Sequence, residues 1–564
     1  MTKAISKSGY FFVAAALLCA FALTPQAQSR VATAGSPKSA NSPAMAAEPT
    51  PDEFTEQLIG ELEQSGFAVS QGEPKLYTQD DCIAYTYPKL KNCFLANPAA
   101  PYVLPIVKSW PDEYVDPGLV DAFVDTDPGY SGTFRLDQRE AVVIYGQMPP
   151  PGRYMGLQTF EFSEHGRWKS KDYNQWANTA DLAFPIQYLF NTVPPKDPTS
   201  HRIISASALG DVVNNVVMER ALKEYDPSDY SPFGKTLYFI ITPSDSTDKA
   251  IRLALQAQGV PDSYIFTEQI PREDEFGPIG PIGMGKNAID FISAFRYAVP
   301  ENEDAAKAWR KRLPLTVLRV RAPASLGPVQ RYKSLIFEPR KANTDETDDL
   351  ANGLVSDVQN LVDAVCSSLI SSGLGSNDCG EPAPASSFLS ESVRDYGWAG
   401  PYCRSIGMNC MIDQQESGLF FSSPRPTDSG QVYAVVGTLA TETDNAIYVG
   451  LSANDASIMG GVPDATILDT DLKGSAEGYT DTLDNASKFF VRYFTTDCAV
   501  LESVLENVAG GMKNCTEISG MSEIGDPALQ GMIIISLRDY IAPGTQRGPD
   551  ASQLLTPRIL TFTP

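Results

Sequence analysis

"TLYFIITPSDSTDKAIRLALQAQGVPDSYIFT", residues 236–267, is the passage on which the fold turns. Thr236–Thr242 is a short apolar run rich in β-branched and aromatic residues, the composition of a buried strand. Thr247–Gly259 places Ala250, Ile251, Ala254 and Leu255 at helical spacing, and Gly259 with Pro261 stops the helix. Ser263–Thr267 returns as a second strand. Strand, helix and strand within about 30 residues make a βαβ unit.

Working outward, Phe54, Leu58 and Leu62 form one face of a helix closed by Gly66. "AVVIYG" (141–146) and "RYMGLQTFEF" (153–162) flank "QMPPPG" and read as neighbouring strands. Two helices are expected at Ala288–Ala298, after a capping Asn287, and at Glu301–Leu313, with Leu315–Arg321 as a strand. Polar "RKANTDETDD" marks a boundary near 340, followed by a helical stripe of Leu350, Leu354, Val358, Leu361, Val365 and Leu369. Beyond 390, "VYAVVGTLA" and "AIYVGLSA" read as a hairpin around "TETDN", with "KFFVRYF", "MIIISLRDYI" and "PRILTF" as further strands.

The expected fold class is therefore mixed α+β or α/β. A β-rich N-terminal part with a βαβ unit (52–340) leads through a linker and amphipathic helix (341–390) to a β-rich C-terminal domain (391–564).

The N-terminus reads as an export signal over 1–27, followed by a flexible linker over 28–51. Lys3 and Lys7 precede the uncharged run Tyr10–Leu23, which is too short for a membrane helix. Cleavage is expected after Ala27 or Ala34, giving a soluble chain that is secreted or periplasmic. Eight further cysteines agree with an oxidising compartment. Their spacing suggests sequential bridges, Cys82–Cys93, Cys366–Cys379, Cys403–Cys410 and Cys498–Cys515, because short loops close at least entropic cost. With no CxxC pair and only two histidines, a zinc site does not fit. A formal net charge of −25 argues against nucleic acid or an anionic membrane surface as partner.

Four stretches carry candidate chemistry. "HRIISASALGDVVNN" (201–215) offers His201, Ser207 and Asp211 as a catalytic set, but no G-x-S-x-G accompanies them. A helix burying Val213, Val216 and Val217, with Ser205 or Ser207 before or at its cap, accounts for the same residues. "GPIGMGKN" (280–287) resembles a phosphate loop, yet Asn287 stands where Ser or Thr would bind magnesium. Gly283, Gly285, Lys286 and Asn287 remain an anion-site candidate if the loop opens a helix. "STDK" (246–249) matches S-x-x-K, although capping by Asp245 or Ser246 explains it equally. Asp125 with Asp127, and Asp469 with Asp471, sit in glycine-containing acidic loops suited to calcium.

Two function classes follow. One is an exported binding or surface module that contacts an extracellular ligand or polymer through aromatic-lined loops. The other is a secreted hydrolase working with Asp or Glu carboxylates, assisted by calcium. The missing catalytic motif favours the binder. A cleft with convergent carboxylates would favour the enzyme, an aromatic groove the binder.

Overall fold

The computed structural model describes residues 50–165, 202–209, 212–274, 277–333, 339–376, 378–379, 415–428, 430–479, 483, 485–506 and 508–563. The export signal, Cys403, Cys410, His201 and Asp211 lie outside them.

In chain order the main elements are α1 (Pro51–Gln64), β1 (Ala68–Tyr77), β2 (Tyr102–Lys108), β3 (Glu140–Gln147), β4 (Gly152–His165), β5 (Arg202–Ala208) and α2 (Asn215–Tyr225). There follow β6 (Thr236–Thr242), α3 (Asp245–Ala257), β7 (Ile265–Gln269), β8 (Asp290–Pro300), α4 (Glu303–Arg312), β9 (Leu315–Arg321) and α5 (Leu354–Ser371). The last are β10 (Ser417–Phe421), β11 (Val432–Thr438), β12 (Tyr448–Asp455), β13 (Gly460–Leu468), β14 (Phe489–Thr495), β15 (Cys515–Glu517), β16 (Met532–Tyr540) and β17 (Arg558–Phe562). Helices and strand-rich sheets make the fold mixed α+β with β-rich character.

The first sheet runs β7-β6-β3-β9-β1-β2-β8-β4-β5 and curls into a half-barrel. The βαβ unit stands at its edge, with β6 and β7 parallel around α3. Ser244 caps α3 by accepting from the Thr247 amide. Val142, Ile144, Leu157, Phe239, Phe291 and Val317 point into the curl. Outside, α1 and α3 cover one stretch with Leu58, Leu62, Ile251 and Leu255. The segment around Leu90–Leu95 covers the other stretch. In the C-terminal half, β10-β16-β12-β13 and β15-β14-β11-β17 are two sheets sharing one core. α5 buries Leu354, Val358, Leu361, Val365 and Leu369 against the outer face of β11, β14 and β17.

Several sequence expectations are corrected. Ala288–Ala298 is strand β8, not a helix. Its Phe291 and Phe295 face the curl while Ile292 and Ala294 face outward, so burial on both sides erased the polar alternation of a strand. The runs around 141–146 and 153–162 are not paired: β3 joins β6 and β9, whereas β4 joins β8 and β5. Their proline-rich link hydrogen-bonds Lys235, Gly234 and Glu301 on its way across, since prolines hold it extended instead of in a tight turn. β11 and β12 likewise lie in different sheets rather than forming a hairpin. Buried Glu346 pins the corner between them, accepting from Thr438 and Thr443 hydroxyls and the Asn445 amide. Leu350 is exposed, because Gly353 at φ 70° ends its short turn before α5 begins. Helix α2 starts at Asn215, capped by Asn214, and Val216 and Val217 are only half-buried.

Candidate functional site

The disulfides Cys82–Cys93, Cys366–Cys379 and Cys498–Cys515 form as the spacing suggests, with Cα–Cα distances of 5.7, 5.8 and 5.9 Å. The first one positions a site. It closes the segment 82–93, and the residues just after it reach across to the C-terminal half. Cys93 N donates to Ile458 O at 2.9 Å and Leu95 N to Met459 O at 2.8 Å. Phe94 and Leu95 hold left-handed backbone, φ 58° and 48°, a costly conformation for side chains of this bulk.

Beyond this segment, β2, β4 and β8 of the half-barrel meet β12 and β16. Tyr448 and Tyr540 are register partners and stack at 4.3 Å. Tyr154 packs against both rings, at 6.0 and 5.6 Å. Asn97 Nδ2 donates to the Tyr540 hydroxyl and Asn97 N to the Tyr102 hydroxyl. Burial pushes the Tyr154 and Tyr448 phenols well above the ordinary tyrosine value, so both stay neutral. Arg296 of β8, opposite Tyr102 of β2, lies 4.9 Å from that ring and pairs with Glu416 ahead of β10. Arg296 is 2% exposed and Glu416 fully buried, so the pair depends on mutual compensation.

A cavity of about 30 Å³ opens beside this pair, walled by Tyr77, Phe94, Tyr102, Phe123, Phe160 and Arg296. It has room for about two waters. Arg296 Nε has no hydrogen-bond partner among the described residues. The recess is aromatic with one cation in its wall and no carboxylate in its lining.

No family model and no curated protein matches the chain. Among solved structures, the chain is similar to an uncharacterised protein from Burkholderia cenocepacia at 10% identity, covering 90% of this chain and 87% of that one, with a TM-score of 0.32. It is also similar to the VPA0106 protein from Vibrio parahaemolyticus at 9% identity, covering 76% and 87%, with a TM-score of 0.29.

The candidates read from sequence fall elsewhere. Ser207 lies in β5, not at a helix cap, and is fully buried directly across from Glu161 of β4. Its hydroxyl has no partner among the described residues, while Ser205 donates to the Glu161 carbonyl. Gly283, Gly285, Lys286 and Asn287 form a loop that enters strand β8 instead of a helix, which removes the helix-terminus argument for an anion there. Two of its carbonyls are used: Gly285 O accepts from Arg135 and Lys286 O from Arg202. Asp125 and Asp127 are exposed in a turn before β3. Asp469 accepts from Val449 N and pairs with Arg153 at 2.5 Å, and Asp471 is exposed two residues on. Among the described residues no group of three or more His, Cys, Asp or Glu is placed to hold a metal.

Sequence reasoning missed the junction because its members are scattered over 97–540. Each looks like ordinary core on its own. One local signal was available: Arg296 sits among apolar and aromatic neighbours in "AFRYAV".

Proposed function

We propose that the protein is an exported binding or surface module, secreted or periplasmic, whose ligand contact is the aromatic recess beside Arg296. The supporting observation is the recess itself: five aromatic walls and a buried guanidinium whose Nε–H is unused. Aromatic faces with a polar handle suit the tip of a ligand, a single small substituent entering between the rings. The three disulfides fit an oxidising compartment, and no helix among the described residues is long and apolar enough to cross a membrane.

The hydrolase reading has one observation in its favour. A Cβ on Gly280 would lie 3.0 Å from Glu161 Oε1 and 3.6 Å from Glu164 Oε2, so two carboxylates gather under that glycine. Glu161 is fully buried, however, which suits scaffolding better than turnover.

Near-ultraviolet circular dichroism during titration with soluble oligosaccharides and short peptides separates the two. A saturable change that Phe123→Ala removes supports the binding module. Turnover of aryl glycosides or aryl esters that Glu161→Gln abolishes replaces it with the hydrolase.

A further inference from the structure

Arg538 of β16 is 1% exposed. Its Nη1 donates to the Ser536 hydroxyl at 2.8 Å and its Nη2 to the Leu95 carbonyl at 2.8 Å, both neutral acceptors. Its Nε has no partner, and no carboxylate lies within ion-pair distance among the described residues. The acids of the junction are engaged elsewhere: Glu416 pairs with Arg296 and Asp469 with Arg153. Asp455 accepts from the Ser457 amide and hydroxyl and from the Ser522 amide. Asp539, next in sequence, points to the opposite face of the sheet. A guanidinium does not lose its proton in a protein, so burial without a counter-charge is a large uncompensated cost.

A second observation lies beside the first. Gly450 of β12 is the register partner of Arg538, so both present the same face toward the half-barrel. Gly450 is buried, yet a Cβ built on it would meet no heavy atom within 4 Å. Its backbone is not left-handed, so conformation does not require glycine here. The missing side chain leaves space in the junction next to a cation that lacks an anion. Leu468, across from Gly450 on the other side, is followed by Asp469 and its partner Arg153, whose side chain is 35% exposed. Arg153 therefore places a second cation toward solvent near the same strand pair.

We propose that the junction binds a small monovalent anion, a carboxylate or a halide, in the space over Gly450 against the Nε edge of Arg538. The site is separate from the Arg296 recess and does not depend on the function proposed above. The anion supplies the charge the sheet lacks and accepts from the unused Nε–H, a charge-assisted contact. Because its binding draws on both halves of the chain, through Arg538 on one side and the Leu95 segment on the other, it also tightens their junction.

Thermal unfolding of the full exported chain tests this at constant ionic strength, with a bulky sulfonate buffer anion exchanged stepwise for acetate or for chloride. The wild type should gain about 3 °C in Tm at saturation, through preferential binding to the folded state. Response to acetate alone assigns the site to carboxylates, and response to chloride alone assigns it to halides. Arg538→Met should lose the response. Gly450→Val, which fills the space and leaves the arginine in place, should lose it too and covers the case in which Arg538→Met does not fold. A wild-type Tm indifferent to both anions, or a response that survives in Gly450→Val, would overturn the proposal.

Discussion

At one end of the half-barrel, Arg319 lies between Glu113 and Glu140, Arg321 reaches Glu140 and Asp112, and Arg135 and Arg202 share Asp290. Trp110 packs against the guanidinium groups of Arg319 and Arg321. At the junction, Arg538 is as deeply buried as Arg135, Arg202 and Arg319 and has no carboxylate partner among the described residues. Asp539, on the other face of β16 from Arg538, shows a third outcome: a buried carboxyl whose Oδ1 has no partner among the described residues. Burial first, then the charge of Glu346, pushes it well above the ordinary carboxylate range, so it stays protonated. An acid can escape a buried charge by holding its proton, whereas an arginine cannot. A carboxylate beside each of these arginines marks the half-barrel end as scaffold, whereas Arg538 has only neutral acceptors among the described residues, and the anion proposal rests on that difference.

The largest effect should come from unpairing the scaffold. Burial raises the Glu140 carboxyl while the charges of Arg319 and Arg321 pull it down, so the acid depends on its partners. Arg319→Met would leave Glu113 and Glu140 short of a cation, and is expected to cost about 3–5 kcal/mol. Urea unfolding measures it, and a loss below about 1 kcal/mol would contradict the pairing argument.

Asp539→Asn should change how stability depends on pH. The folded-state value of Asp539 is raised above its unfolded value, so its stabilising contribution is complete below about pH 4. That contribution fades as pH rises toward the folded-state value. Relative to the asparagine variant, the wild type should lose Tm as pH rises above about 4. Parallel curves would mean that Asp539 is ionised in the fold.

Smaller effects are expected where solvent or absent partners weaken the interaction. Arg153→Ala removes a pair whose cation is 35% exposed, and should cost less than about 1 kcal/mol in a denaturant titration. Ser207→Ala deletes a buried hydroxyl with no partner among the described residues and should be neutral or slightly stabilising. A loss of more than about 1 kcal/mol there would show that the hydroxyl has a native partner.

Much of the fold could be read directly. The βαβ unit, α1, α4, β9 and the apolar stripe of α5 carry local periodicity, and local periodicity is what sequence shows. Pairing was not legible. β3 and β4 are joined by a short proline link yet lie apart in the sheet, because strand order is decided by which faces can be buried together. β8 was misread for the same reason, since both its faces are core. Three of the disulfides were legible from spacing. The junction was not, because Tyr154, Arg296, Glu416, Gly450 and Arg538 come from four strands and one adjoining loop. The serine of "HRIISASALGDVVNN" drew attention as a chemical letter, yet it sits in a buried strand.

If the junction holds an anion as proposed, Arg538 is buried with a counter-charge rather than alone. Crystals grown or soaked in bromide test it directly, because bromide scatters anomalously and can replace a small monovalent anion. An anomalous peak is expected over Gly450, in contact with Arg538 Nε, and should disappear in Gly450→Val. A space over Gly450 that stays empty in bromide and in acetate alike, with Arg538 unmoved, would contradict it.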